Sequence, residues 1–294
     1  MASTRRATLT LVEAADQLGV HYMTAYRYVR TGLLPARKEG TQWQVAQRDL
    51  DRFADPPAHP AGRGRGRAAR GRADHTQRLV GCLQVGDEAG AWQVTQRALA
   101  GGLEPAQLYL QVLGPAMRDI GDRWDSGQLS VAQEHQASAL MERLVGRLGP
   151  LFSRPGRPRG TVVLGAPTGD HHSLPTALFA DLLRGRGLHV VQLGGHTPAV
   201  SFVEAALGAD RLVAVGVTAT LADNEMAVAA TVETLHDAGI APVVVGGRAV
   251  TDPTVATALG ADHQAAGPQE ALALFDQLAD QAQRARRTPP ARRR

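Results

Sequence analysis

The sequence predicts a multidomain chain: a winged helix-turn-helix head, a four-helix bundle and a doubly wound, flavodoxin-like α/β domain. Three observations predict it. Short helical periods separated by a tight turn occupy residues 1 to 55, long helical periods occupy 74 to 152, and Val-rich strands alternate with helices from 160 onward. A chain of 294 residues is long enough for several cores.

In the head, "LTLVEAADQLG" starts at Thr10, a plausible N-cap, and carries Leu11, Ala14, Ala15 and Leu18 on one face before stopping at Gly19. "VHYMTAYRYVRTG" follows a tight turn and ends at Gly32, the pattern of a helix-turn-helix. Ala25, Tyr28 and Val29 face inward, which leaves Tyr22, Thr24, Arg27 and Arg30 outward. Those residue types suit a major groove, because guanidinium groups pair with guanine edges or phosphate and hydroxyls reach phosphate. "LLPARKEGTQWQV" reads as a two-stranded wing turning at Gly40 and Thr41, with Arg37 and Lys38 placed to meet a DNA backbone. "RDLDRF" supplies a closing helix. The stretch "MTAYRYVRTGLLPA" and the Trp43 wing resemble the winged helix-turn-helix of MerR and excisionase-type proteins; a protein-binding winged helix is the competing reading.

Residues 56 to 73, "PPAHPAGRGRGRAARGRA", lack the apolar content to bury a core and read as a flexible basic linker. Helices are expected near 74 to 85, 88 to 100, 104 to 124 and 130 to 151, with breaks at Gly86, Gly101-Gly102 and Gly127. Four helices with short connections predict an antiparallel bundle over 74 to 152. Trp124 closes its third helix, and Glu134 and His135 lie one turn into the fourth.

From 160 to 284, "TVVLGAP", "HVVQLGG", "RLVAVGVTAT" and "APVVVGG" are buried strands of a parallel sheet, with "ADHQAAG" a weaker fifth. Such sheets bind ligands at their carboxyl ends, here "PTGDHHSLP", "GGHTP", "TATLADN" and "GGRAV". Asp170 and His172 stand one residue apart in the first of these loops. A carboxylate bonded to one imidazole nitrogen fixes the tautomer and makes the other nitrogen a better metal ligand. The same pair also suits an acid/base with its orienter, or a histidine helix cap.

Charge is unevenly spread. Eight basic groups against six acidic give residues 1 to 55 a charge of +2, five arginines lie in the linker, and six more (284 to 294) form a basic tail. The body from 73 to 283 carries thirteen basic groups against twenty-two acidic, or −9. Basic segments of this sort follow polyphosphate without reading sequence. Cys82 is the only cysteine, which excludes an intrachain disulfide and a thiolate-rich zinc site. Without a signal-like apolar core or a membrane-length run, the expected location is cytoplasmic, with no membrane partner. No catalytic triad or phosphate loop is present, and the chain is not expected to be an enzyme.

The quoted motifs resemble those of a known family. Cobalamin-binding domains of the methionine synthase type carry Asp-x-His-x-x-Gly, then Ser-x-Leu, then Gly-Gly; this chain has Asp170-His171-His172-Ser173-Leu174-Pro175, then Thr218-Ala219-Thr220, then Gly246-Gly247. Light-responsive cobalamin regulators of the MerR type also carry Trp-x9-Glu-His over the corrin's upper face, a spacing matched by Trp124, Glu134 and His135. The resemblance implies a cobalt corrinoid, adenosylcobalamin, with His172 as lower axial ligand and Asp170 hydrogen-bonded behind it. His171 is then a neighbour. Thr218, Thr220, Gly246 and Gly247 would border the nucleotide tail, the glycines leaving room for it, and Trp124 would pack on the adenosyl group. It implies a transcriptional repressor of operator DNA whose homo-oligomer, a dimer or tetramer, is controlled by the cofactor and by photolysis. A cobalamin sensor without light response and a corrinoid methyl carrier are the alternatives. The chain departs from the pattern at Pro175 for Gly, at Thr218 and Thr220 for Ser and Leu, and at Asp125, where some light sensors have a histidine.

Overall fold

The computed structural model describes residues 8–18, 22, 25–26, 29, 34–40, 42–54, 64–221, 223–250 and 252–287. It divides into two compact units, 1–126 and 127–294.

The head opens the first unit with β1 (Thr8–Thr10) and α1 (Leu11–Leu18). Thr10 caps α1 reciprocally: its Oγ1 accepts from the Glu13 N–H at 3.3 Å, while its own N–H donates to Glu13 Oε2 at 2.8 Å. β2 (Arg37–Glu39) and β3 (Gln42–Ala46) form the expected hairpin, turning at Gly40 with φ 61°, and α2 (Gln47–Ala54) follows. A third strand was not expected: β1 pairs with β3, Leu9 opposite Val45, giving the order β1-β3-β2. Leu11, Ala14, Ala15, Ala25 and Val29 are buried with Leu9, Leu34, Val45 and Leu50 in one small core, Trp43 packing at its edge. The predicted inward positions Leu18 and Tyr28 have side chains outside the described set.

The helical part comprises α3 (Gly64–Val85), α4 (Glu88–Ala100), α5 (Pro105–Leu108) and α6 (Gly114–Asp125). α3 begins well before residue 74, so the second half of the expected linker is helical; its arginines and alanines are good helix formers. The predicted breaks hold Gly86, Gly102 and Gly127 at φ 71°, 91° and 73°, a region glycine enters without steric cost. The expected single helix from 104 to 124 is interrupted by a π-helical turn, Tyr109–Leu113. Pro115 has no N–H to offer the Gln111 carbonyl, and Thr76 Oγ1 donates to that oxygen instead, at 3.2 Å.

The second unit starts with α7 (Val131–Leu148), so the fourth helix of the expected bundle is grouped with the sheet domain. Ser130 and Gln133 form its capping box. A 3-10 turn, Gly149–Phe152, leads to β4 (Thr161–Pro167), α8 (Leu174–Arg184), β5 (His189–Thr197), α9 (Ala199–Leu207), β6 (Leu212–Thr218), α10 (Glu225–Asp237), β7 (Val243–Gly246), α11 (Pro253–Ala258), β8 (His263–Ala265) and α12 (Pro268–Arg287). All strand pairs are parallel, in the order β5-β4-β6-β7-β8. Numbered within the sheet this is 2-1-3-4-5, the flavodoxin-like order, whose switch point lies between β4 and β6, where the connections leaving the two strands diverge. Every residue of β4 is buried, as its uninterrupted apolar run requires of a strand covered on both faces. At the opposite end of the sheet Arg159 binds Asp276 and Asp280 of α12, tying the last helix to the start of β4. Among the described residues no helix is long and apolar enough to cross a membrane.

Candidate functional site

The carboxyl ends of β4, β5 and β6 converge on one loop, residues 168 to 172. β4 ends at Pro167, and Gly169 takes φ 91°, which turns the chain so that Asp170 drops into the sheet's end. Asp170 is fully buried and all its acceptor needs are met: Oδ1 receives His172 Nδ1 at 2.8 Å and the His172 N–H at 3.1 Å, and Oδ2 receives the Thr220 N–H at 2.7 Å. Burial alone pushes this carboxyl up, but the donors from His172 and Thr220 outweigh it and hold it below the usual carboxylate range. His172 is shifted the other way. The Asp170 hydrogen bond raises it against the opposing effect of burial, the negative charges of Asp170 and Glu134 add to the rise, and Arg248 opposes it.

The His172 ring is therefore fixed at Nδ1, while its side chain is 48% exposed and Nε2 has no partner among the described residues. An imidazole held from behind by a buried carboxylate, with its other nitrogen open, is a metal-ligand arrangement. Among the described residues no three His, Cys, Asp or Glu side chains converge on a common point. One protein nitrogen suits a metal whose other positions are filled by its own macrocycle, so the residues present fit a cobalt corrinoid.

Further bonds keep the loop in place. Asn224 donates to the Thr168 carbonyl at 3.0 Å, and the His196 N–H donates to the Asp170 carbonyl at 2.6 Å. Glu134, in the first turn of α7, accepts from Ser138 Oγ at 2.7 Å and lies near enough to influence His172; His135 beside it is exposed. Trp124 stands in the last turn of α6, in the first unit, 44% exposed. His171 is a neighbour, stacked on His196 with ring centroids 4.4 Å apart.

Thr218 ends β6, and Thr220 contributes its backbone N–H rather than its hydroxyl to the bond with Asp170. Gly246 and Gly247 lie at and just after the end of β7. A Cβ on Gly247 would stand 2.3 Å from the Ala219 carbonyl oxygen, and one on Gly246 would stand 3.1 Å from that of Ala265. The space their side chains would take is filled by backbone, so Gly247 lets the end of β7 close against the β6 loop and Gly246 lets it close against β8. Sequence reasoning passed over Asn224 and Arg248 and gave His196 no definite role; the "GGHTP" and "GGR" loop ends were the available signals.

In the head, Tyr22 is 41% exposed and stacks on Tyr26, and Arg37 and Lys38 are exposed on β2. Thr24, Arg27 and Arg30 lie outside the described residues.

Residues 8–55 match a helix-turn-helix domain model and residues 76–148 a B12 binding domain model. The chain is 33% identical over 178 residues to the HTH-type transcriptional repressor CarH of Myxococcus xanthus, a match covering 60% of this chain and 53% of that protein. It thus spans about half the repressor's length. It is also 30% identical over 184 residues to trimethylamine corrinoid protein 2 of Methanosarcina acetivorans, covering 60% of this chain and 83% of that one. In fold it is similar to the monomethylamine corrinoid protein of Methanosarcina barkeri, with TM-score 0.60 and 19% identity over 69% of this chain and 97% of the other. The chain belongs to the corrinoid protein family, and in it a segment that matches a helix-turn-helix domain precedes the segment that matches a B12 binding domain.

Proposed function

We propose that this protein is an adenosylcobalamin-dependent, light-responsive transcriptional repressor whose oligomerisation and operator binding are set by the cofactor. The carrying observation is the Asp170–His172 pair, an oriented and otherwise uncommitted imidazole, in the same chain as a helix-turn-helix head. His172 would hold the cobalt through its open nitrogen, with Asp170 fixing its ring. Thr218, Thr220, Gly246 and Gly247 would border the nucleotide tail, and Trp124, Glu134 and His135 are the residues that would respond to the cobalt-bound group. When bound, adenosylcobalamin supplies a cobalt–carbon bond that visible light breaks. Tyr22, Thr24, Arg27, Arg30, Arg37 and Lys38 meet DNA.

A single small head makes few base contacts, whereas linked heads raise effective concentration at neighbouring half-sites, so assembly serves as the switch. The cofactor can shift that assembly only by as much as it prefers the assembled state over the dispersed one. Full-length protein loaded in the dark with adenosylcobalamin is expected to form a dimer or tetramer and retard upstream DNA in a gel, and to lose both properties after green light. Unchanged assembly and DNA binding after illumination would replace this reading with a cobalamin sensor lacking a light response. Methyl transfer with no DNA binding in either state would replace it with a corrinoid carrier, the alternative that the Methanosarcina relatives support.

A further inference from the structure

His196 lies near the end of β5 and is tightly held. Its φ is 51°, in the left-handed region, at a position where the chain presses on its neighbour: a Cβ on the preceding Gly195 would stand 2.8 Å from the His171 backbone. Three ties hold it there. Its N–H donates to the Asp170 carbonyl, its ring stacks on His171 at an interplanar angle of 7°, and its Nδ1 accepts the Gly169 N–H at 2.9 Å. A ring nitrogen that accepts a backbone N–H carries no proton, which leaves the proton of the neutral ring on Nε2. The exposed side of this clamped ring is therefore a hydrogen-bond donor of fixed identity, on the same loop cluster as the open nitrogen of His172.

A hydrogen-bond donor locked at the mouth of a site is a recognition element. We infer that the His196 Nε2–H binds an oxygen acceptor of the corrinoid, either an amide carbonyl on the rim of the ring or a phosphate oxygen of the nucleotide tail. This rests on the corrinoid reading of the site. The bond is made to the periphery of the cofactor and leaves the His172 coordination position untouched.

Binding of hydroxocobalamin and of cobinamide, which lacks the nucleotide tail, to the full-length protein tests it. In His196→Asn the side-chain oxygen can still accept the Gly169 N–H, and asparagine tolerates the left-handed backbone, but the distal donor is gone. The variant is expected to bind cobalamin about three- to tenfold more weakly while the absorbance change that reports imidazole coordination is retained. An equal loss with cobinamide places the acceptor on the ring, and a loss with cobalamin alone places it on the tail. Unchanged affinity for both overturns the inference while leaving the corrinoid reading intact; a wild-type chain that binds neither overturns both. Nitrogen-15 histidine spectra of the wild-type protein give a check free of folding effects: the His196 proton is expected on Nε2 and its resonance is expected to move on binding. A proton on Nδ1, or a resonance that does not move, also overturns it.

Discussion

The Thr220 N–H donates to Asp170 Oδ2 at 2.7 Å, linking the loops that follow β4 and β6 across the switch point of the sheet. The other oxygen of the same carboxylate fixes His172, so one buried group both joins two strand ends and aims the imidazole. Asp170→Asn should affect both. Its amide can present an oxygen to His172 or to Thr220 but not to both, and the displaced donor finds no acceptor. The expected outcome is corrinoid affinity lowered about 10- to 100-fold, a range typical of losing the partner behind a metal-bound histidine. A stability loss of about 1–3 kcal/mol should accompany it. Spectroscopic titration and urea unfolding measure the two; wild-type affinity in this variant would mean that Asp170 does not orient the ligand.

Gly247 is a second joint at the same switch point. With φ 126° and a would-be Cβ only 2.3 Å from the Ala219 oxygen, alanine there must both strain its own backbone and push β6 away. Gly247→Ala should cost at least about 3 kcal/mol. Gly194 has a comparable left-handed backbone, φ 82°, but open space around it, and Gly194→Ala should cost only the backbone share, about 1–2 kcal/mol. Equal losses in urea unfolding would show that the β6–β7 approach carries no weight.

These positions show how much was legible in the sequence. Period and punctuation gave the helices and strands closely, because apolar spacing and glycine breaks act locally. Asp170 and His172 stood out because two chemical groups one residue apart must share a loop. The bond to Thr220 was not legible, since it spans fifty positions and uses a backbone N–H that any residue could supply. The π-turn was equally hidden: Pro115 predicts a lost hydrogen bond, but only the packed helices reveal that Thr76 replaces the donor. Gly246-Gly247 was legible as a need for small residues, while what fills the space depended on the fold.

Asp262 gives the sheet domain an acid-sensitive contact. Its Oδ2 accepts the Val243 N–H at 2.7 Å and faces His236 Nε2 at 3.0 Å, pinning the turn before β8 to the start of β7. Burial pushes the carboxyl up, but the Val243 and His236 bonds prevail and hold it below its ordinary value. A depressed folded value means that the contribution is present above the unfolded carboxylate range, about pH 4, and is lost as pH falls through the folded value. The stability gap between wild type and Asp262→Asn, followed by urea unfolding, should be largest near neutrality and close below about pH 4. A gap that widens on acidification would contradict the assignment.

The hairpin of the head offers a test of the DNA reading that needs no knowledge of the operator. Arg37, Lys38 and Glu39 are consecutive exposed residues of β2, and all three lie outside the small core of the head. If this strand follows the phosphate backbone, each cation lost releases one fewer counterion on binding. The log–log salt dependence should then flatten by about one unit per residue, in Arg37→Ala, in Lys38→Ala and additively in the double variant. Affinity should fall by similar factors for upstream and unrelated duplexes, because phosphate contacts carry no base information. Glu39→Lys should act in the opposite sense, tightening binding and steepening the slope, since it replaces a repelling charge with an attracting one on the same strand. Fluorescence anisotropy at several salt concentrations measures all four proteins. Flat responses in every variant would place the hairpin away from DNA and leave contact to the second helix alone.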